Sequence, residues 1–237
     1  MPFKHFSDNM PIRPKRLNLL VTLGPTWEFI DPIRFITNRA TGILGYLIAQ
    51  EGVNRGHRMT CVAGPSALCP LPGARWVSVV GAEEMHKAVK KFFPKSDALV
   101  MSAAVSDYRV KKPLSSKLKR KEKAISILLE ENPDILGDVA RQKGSKVLVG
   151  FALETEDLLK NASKKLKGKG LDLIVANRVG EGSNPFGNRK VSVHLLWKDG
   201  QRKSFHDISK QQLANILLDA VEELVANPTL RLSSGSC

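Results

Sequence analysis

Cysteine is scarce in this 237-residue chain: Cys61, Cys69 and Cys237 are the three, and no two form a CxxC pair. That excludes a disulfide framework and a thiolate metal cage, and it points to a reducing cytoplasm. Aromatic residues make up 6%, too few for an extended base-stacking surface. No stretch approaches the ~18 uncharged apolar residues of a membrane span. The leader MPFKHFSDNMPIRPKR has no apolar h-region, which excludes a secretion signal. Residues 1–16 and the LSSGSC end (227–237) read as disordered flanks of one domain spanning 17–226, a length that can bury a sizeable core. The chain contains neither GxGxxG nor a Walker A sequence, so a standard dinucleotide site and a P-loop are unsupported. Its five histidines and three cysteines fall at no metal-ligand spacing, so no protein-held metal is expected. His86, His194 and His206 read as surface or edge residues.

What is abundant is positive charge. Lys and Arg number 37 against 23 Asp and Glu, a net +14, which implies anionic partners. Between Arg109 and Lys123 lie eight basic residues and one acidic residue, Glu122. The apolar run Leu17–Leu23 leads into GPTWEFIDPIRFITNRATGILG (Gly24 to Gly45), followed by the amphipathic start of a helix. This is strand, long loop, helix. The loop carries Arg34, Asn38, Arg39 and Thr41, which can hold an anion beside a helix N-terminus, and its first reading is a nucleotide or phosphate cradle.

Further along, strands are expected at His57–Gly64, Trp76–Val80, Asp97–Val105, Ile125–Leu129, Lys146–Ala152 and Leu171–Ala176. Helices are expected at Ala82–Phe93 and Glu156–Lys167, with another starting at Asn132 as N-cap and Pro133 at the first helical position. Val191–Trp197, the Asp199-Gly200 turn and Gln201–His206 form a hairpin, and Ser209 caps a last helix over Lys210–Ala226. Alternating strands and helices followed by a hairpin predict an α/β fold of three layers: a Rossmann-like, mostly parallel sheet with an antiparallel hairpin at its C-terminal edge.

Several residues admit two readings. Asp107 directly follows a buried strand, the place of an active-site carboxylate in this architecture or of a turn residue. Thr41-Gly42-Ile43-Leu44-Gly45 is a truncated glycine-rich helix start or a packing glycine pair. Arg34 and Asn38 bind an anion or shape the loop. Lys117-Leu118-Lys119-Arg120 is a solvated charge run or a basic flap over phosphates within 109–123. Lys165 and Lys169 fall one turn apart on a helix, as ligand contacts or as a soluble face.

At these residues the chain resembles phosphopantothenate–cysteine ligase, over about Leu17 to Leu224. The resemblance is carried, in order, by GPTWEFIDPIRFITN, AGP (Ala63–Pro65), SAAVSDYR (Ser102–Arg109), KLKR (Lys117–Arg120), ENPDIL (Glu131–Leu136), VGFALET (Val149–Thr155) and DLIVAN (Asp172–Asn177). The family implies a two-step reaction. The carboxylate of 4′-phosphopantothenate attacks the α-phosphate of CTP, giving an acyl-cytidylate and pyrophosphate. The amine of L-cysteine then attacks the acyl carbon and releases CMP, a step of coenzyme A biosynthesis. The resemblance implies Mg²⁺ travelling with CTP, a homodimer, and no flavin. Because no flavin-dependent decarboxylase half precedes the matching segments, it also implies a stand-alone ligase, with a separate decarboxylase as a conceivable partner.

Carried over by position, Asn38 handles the acyl intermediate and Arg34 helps it, with Arg39, Thr41 and Gly42 as further substrate contacts. Lys117 is the flap lysine that promotes acyl-cytidylate formation. Met101, Ser102, Ala103, Asp107, Pro133, Asp134, Ile135, Leu136 and Phe151 form the nucleotide pocket, with Lys165 and Lys169 on the triphosphate. The opening loop then belongs to the substrate rather than to the nucleotide. Two departures stand out: Asn38-Arg39-Ala40-Thr41-Gly42 replaces the usual Asn-His-Ser-Ser-Gly, and the Lys-x-Lys-Lys flap ends in Arg120. CTP is preferred over ATP on family type alone, since animal-type relatives use ATP. Two other classes compete: a basic nucleic-acid-binding domain and a Rossmann-type reductase. Against them stand the lack of interleaved aromatics in 109–123 and the lack of an acidic residue closing the second strand, which ends Val62-Ala63-Gly64.

Overall fold

The computed structural model describes residues 16–120, 124–180 and 184–228. The expectations for 1–15, 121–123 and 229–237 lie outside the described residues. Twelve strands and five α-helices follow in chain order: β1 (Asn18–Leu23), β2 (Trp27–Phe29), β3 (Phe35–Thr37), α1 (Ile43–Asn54), β4 (Arg58–Ala63), β5 (Arg75–Ser78), α2 (Ala82–Phe92), β6 (Ala98–Met101), β7 (Tyr108–Val110), β8 (Leu129–Glu131), α3 (Ile135–Ala140), β9 (Val147–Glu154), α4 (Leu158–Gly168), β10 (Leu173–Arg178), β11 (Val191–Trp197), β12 (Arg202–Ile208) and α5 (Lys210–Ala226).

Eight strands form one sheet in the order β12-β11-β10-β9-β6-β1-β4-β5. From β10 to β5 all neighbours are parallel, while β11 and β12 run antiparallel at the edge. The expected Rossmann-like sheet with an antiparallel C-terminal hairpin is therefore what forms. Strand β1 shows why the layers stack. Leu19, Val21 and Leu23 enter one core with α1 and α5, and Leu20 enters the other with α2, α3 and α4. Both faces are covered, so the strand reads as a continuous apolar run. Burying each such side chain contributes about 1.5–3 kcal/mol. At the C-terminal end Ser209 and Gln212 close a reciprocal capping box on α5: the Ser209 Oγ accepts from the Gln212 amide at 3.1 Å, and the Ser209 amide donates to Gln212 Oε1 at 2.8 Å.

The chain goes from β1 to β4 and β5 on one side and returns to β6 on the other, so the order reverses between β1 and β6. Ligands bind outside the carboxyl ends of strands at such a switch point. The backbones crowd there: a Cβ on Gly64 would lie 1.9 Å from the Pro25 carbonyl oxygen, so only glycine fits.

Four expectations need correction. The opening loop is not loop throughout; β2 and β3 pair within it, with Trp27 stacked on Phe35 at 4.0 Å and Asp31 building the turn. The strand expected over Asp97–Val105 stops at Met101, where the backbone turns out and the Ala103 amide donates to the Thr22 hydroxyl at 3.1 Å. The strand expected at Ile125–Leu129 begins only at Leu129, and its partner, β7, comes from the basic stretch. Arg109 is tolerated in β7 because Glu130 (2.9 Å) and Glu83 (3.5 Å) neutralise it. Lastly, Asp134 rather than Asn132 caps α3, its carboxylate accepting from the Gly137 amide at 3.1 Å, so Pro133 precedes the helix.

Candidate functional site

Two clefts open at the carboxyl ends of the parallel strands. The first, of about 400 Å³, lies on the α3 and α4 side. Met101, Ala103 and Asp107 reach it from the end of β6 and the loop beyond. Pro133, Asp134, Ile135 and Leu136 come from the start of α3, Phe151 from β9, and Lys165 and Lys169 from α4. Among the residues expected at the nucleotide, only Ser102 and Lys117 lie outside this cleft. Segments more than sixty residues apart in sequence thus converge on one cavity.

Its two lysines are held differently. Lys169 meets the Asp134 carboxylate. Burial would raise the Asp134 pKa, but Lys169 and the Gly137 amide outweigh it and hold the carboxyl below its usual range. Lys165 donates to the Phe151 carbonyl at 2.8 Å. Desolvation lowers its pKa, with Asp107 and Glu154 opposing and Lys169 reinforcing the shift. An ammonium partly stripped of water and lacking a close carboxylate is prepared to receive an anion.

The second cleft, of about 190 Å³, lies on the α1 and α5 side and shares Ala103 and Phe151 with the first. Thr41, Gly42 and Ser102 line it together with Asn177, Phe186 and Lys210. Gly42 is the N-cap of α1 at φ 79°, and no side chain caps that helix. The amides of its first turn are open to an anion. A Cβ at Gly42 would stand 2.9 Å from the Gly24 amide nitrogen, so the close approach as well as the positive φ calls for glycine.

The remaining expected residues divide. Asn38 is in neither lining; its amide donates at 3.0 Å to the carbonyl of Ala104, which lines the second cleft. The Arg39 guanidinium lies over the Phe186 ring, 5.1 Å from its centroid. Arg34 is engaged elsewhere: its Nε donates to Asp31 at 2.9 Å, and its Nη2 donates to Asp31 and, at 2.8 Å, to the Leu118 carbonyl. Lys117 is exposed and lines neither cleft, and among the described residues it makes no hydrogen bond or ion pair.

The profile of a family described as DNA/pantothenate metabolism flavoprotein C-terminal domain matches residues 15–225. The chain belongs to this family. The coenzyme A biosynthesis bifunctional protein CoaBC of Bacillus subtilis is 35% identical over 222 residues, covering 93% of this chain and 55% of that protein. Its counterpart in Mycobacterium tuberculosis H37Rv is 38% identical over 231 residues, covering 92% and 55%. The chain therefore spans about half the length of the curated relatives it matches. A crystal structure of the C-terminal domain of CoaBC superposes with a TM-score of 0.75 at 33% identity, covering 89% of this chain and 96% of that one. A Cab2 H337A variant solved in complex with phosphopantothenate-cysteine shares the fold, with a TM-score of 0.72 at 15% identity over 90% and 89% of the two chains.

Within the family's fold, some residues that shape the clefts escaped the sequence reading. Asn132 ties the two walls of the first cleft together. Its side chain donates to the Ser106 carbonyl (2.9 Å) and accepts from Arg109 (3.2 Å), while its backbone amide donates to the Asp107 carbonyl (2.8 Å). Thr22 and Thr26 are fully buried and accept from the amides of Ala103 and Ser106. Their signal was present, since a threonine inside or beside a buried apolar strand needs a partner. Lys210 is 7% exposed and donates to the carbonyls of Pro185 (2.7 Å) and Gly187 (2.6 Å), pinning the loop that carries Phe186.

Proposed function

We propose that this chain is a ligase joining 4′-phosphopantothenate to L-cysteine through an acyl-cytidylate, consuming CTP in preference to ATP and releasing pyrophosphate and CMP. The observation that carries the reading is the pair of clefts with a common wall. Nucleotide in the first and acyl substrate in the second would meet at Ala103 and Phe151.

In the first step a carboxylate oxygen bonds to the α-phosphorus and pyrophosphate leaves. The attacking carboxylate is already ionised, so catalysis is positioning and charge stabilisation rather than strong base chemistry. Lys165 and Lys169 would hold the triphosphate, Lys169 exchanging its contact with Asp134 for phosphate oxygens. Ser102 would serve the nucleotide from the rim between the clefts. Lys117 would stabilise the charge that grows on the transferring group. In the second step the cysteine nitrogen bonds to the acyl carbon, CMP leaves, and the nitrogen gives up a proton. The Asn38 amide, beside Ala104, would orient the acyl group, and Arg39, Thr41 and Gly42 would receive the phosphopantothenate arm, with Arg34 contributing its charge while held to Asp31. Among the described residues no three His, Cys, Asp or Glu side chains cluster as a metal site. Mg²⁺ would arrive on the nucleotide's phosphates, which it prefers to protein cages. It would neutralise phosphate charge, with Asp107 and Asp134 as the carboxylates at hand.

In this reading residues 17–226 form the single catalytic domain, with the flap at 109–123. The active form would be a cytoplasmic homodimer, with a separate decarboxylase as a further partner. Ile33 at 58% and Leu128 at 68% are exposed apolar side chains that a second copy could cover. None of the described helices is long and apolar enough to cross a membrane. The test is to incubate the chain with 4′-phosphopantothenate, cysteine, Mg²⁺ and either CTP or ATP, and to identify the amide product by mass spectrometry. Product with CTP is expected. Salt-sensitive DNA binding without nucleotide turnover would instead favour a nucleic-acid module.

A further inference from the structure

Asp31 lines neither cleft, yet it is 1% exposed. A buried carboxylate persists only when its lone pairs are satisfied, and here its two oxygens divide the work. Oδ1 accepts from the backbone amides of Ile33 (2.9 Å) and Arg34 (2.8 Å), which builds the turn between β2 and β3. Oδ2 accepts from the Arg34 guanidinium and from the backbone amide of Leu118 at 3.0 Å. Arg34 Nη2 completes the arrangement by donating to the Leu118 carbonyl at 2.8 Å. Both backbone polar groups of one flap residue are thus held by a side-chain ion pair more than eighty residues away, as a neighbouring strand would hold them.

A second tie runs to the same hairpin, from the Leu114 amide to the Ile30 carbonyl at 2.9 Å. Leu118 directly follows Lys117, the lysine the ligase reading places at the transferring phosphoryl group. Oδ1 alone suffices for the turn, so the contacts of Oδ2 to Leu118 call for a separate explanation. The Arg34 guanidinium holds the Asp31 carboxyl well below the usual carboxylate range, so the pair stays ionised at neutral pH.

We propose that Asp31 and Arg34 are a latch that fixes the basic flap at Leu118, and that Asp31 is thereby a positioning residue for Lys117 in the first chemical step. The positioning role rests on the ligase reading; the latch does not. Asp31→Asn keeps an oxygen for the turn and sets an NH₂ group against the amide of Leu118. Leu118→Pro removes the donor from the flap side and leaves the buried turn untouched.

Each variant is compared with the unaltered chain by timed trypsin cleavage after Lys119 and Arg120, the flap sites that Leu118→Pro leaves cleavable, and by kcat and KM for pyrophosphate release. Cleavage about tenfold faster in both variants is expected, as for loss of a charge-assisted hydrogen bond that resists local opening. A kcat lowered about tenfold with nucleotide KM within about threefold is expected alongside it. Wild-type cleavage rates in both variants would overturn the latch. Faster cleavage with unchanged kcat would overturn the positioning role. An unaltered chain that turns over no nucleotide would overturn the ligase reading and the positioning role, while the cleavage rates would still decide the latch.

Discussion

Asn132→Ala is the sharpest probe of how the first cleft is built. The substitution removes two side-chain hydrogen bonds, one to the Ser106 carbonyl and one from the Arg109 guanidinium, and spares the backbone bond to Asp107. A neutral bond contributes about 0.5–1.5 kcal/mol and one to a charged group about 1.5–3 kcal/mol. Asn132 is only half-buried, so water recovers part of this, and a net loss of about 1–3 kcal/mol is expected. In a domain of this size each kcal/mol lowers Tm by roughly 2–4 °C. Because the lost bonds join Ser106 to the segment starting α3, the cost falls on a cleft whose walls must stay together to bind nucleotide. Nucleotide KM should rise about 5- to 140-fold, if the whole of that loss is felt in binding, with kcat less affected. Steady-state pyrophosphate release over a nucleotide titration reads this, with a thermal melt as control. An unchanged KM, with Tm within a degree of the unaltered chain, would refute the keystone role.

Other consequences follow from the same geometry. Lys165→Met should raise nucleotide KM by about tenfold or more, since a desolvated ammonium is lost from the cleft. Because burial lowers the Lys165 pKa, nucleotide affinity should be full while the ammonium is protonated and should weaken as pH rises through that lowered value. The weakening should begin below the ~10.4 of an ordinary lysine and flatten in the variant; an identical pH profile would contradict the assignment. For Asn38→Asp the expected outcome is acyl-cytidylate that forms but turns over poorly with cysteine, read by quenched-flow product analysis; normal amide formation would remove Asn38 from the second step. Burial pushes the Cys61 thiol up to about 12. Iodoacetamide should therefore modify exposed Cys69 in the native protein and spare Cys61 until the chain is unfolded.

The layers of the fold were legible because β1, β6, β9 and β10 are apolar runs between helical periodicities, and pattern decides fold class when both sheet faces are covered. What escaped was set by single side chains acting over distance. The β2–β3 hairpin depends on Asp31 closing a turn that Pro32 and Ile33 alone do not announce. Strand β7 was hidden in a basic run because the carboxylates that neutralise Arg109 come from α2 and β8. The cap of α3 shifted from Asn132 to Asp134, and the Asn132 side-chain oxygen that would have capped it accepts instead from Arg109. The residues expected at the nucleotide were read through the order of their segments, and all but Ser102 and Lys117 converge in one cleft. Arg34 was read as an anion contact; that its guanidinium also spans Asp31 and the flap is a pairing that no local pattern encodes.

The central claim, that two adjoining clefts let one chain activate a carboxylate on a nucleotide and pass the acyl group to an amine, is tested most directly by omitting cysteine. The chain would be mixed with 4′-phosphopantothenate, Mg²⁺ and α-labelled CTP or ATP, and the acid-quenched mixture analysed for a labelled acyl-nucleotide. A burst of acyl-cytidylate matched by pyrophosphate, consumed on adding cysteine and absent in Lys117→Gln, is the predicted result. Neither acyl-nucleotide nor pyrophosphate from either nucleotide would contradict it.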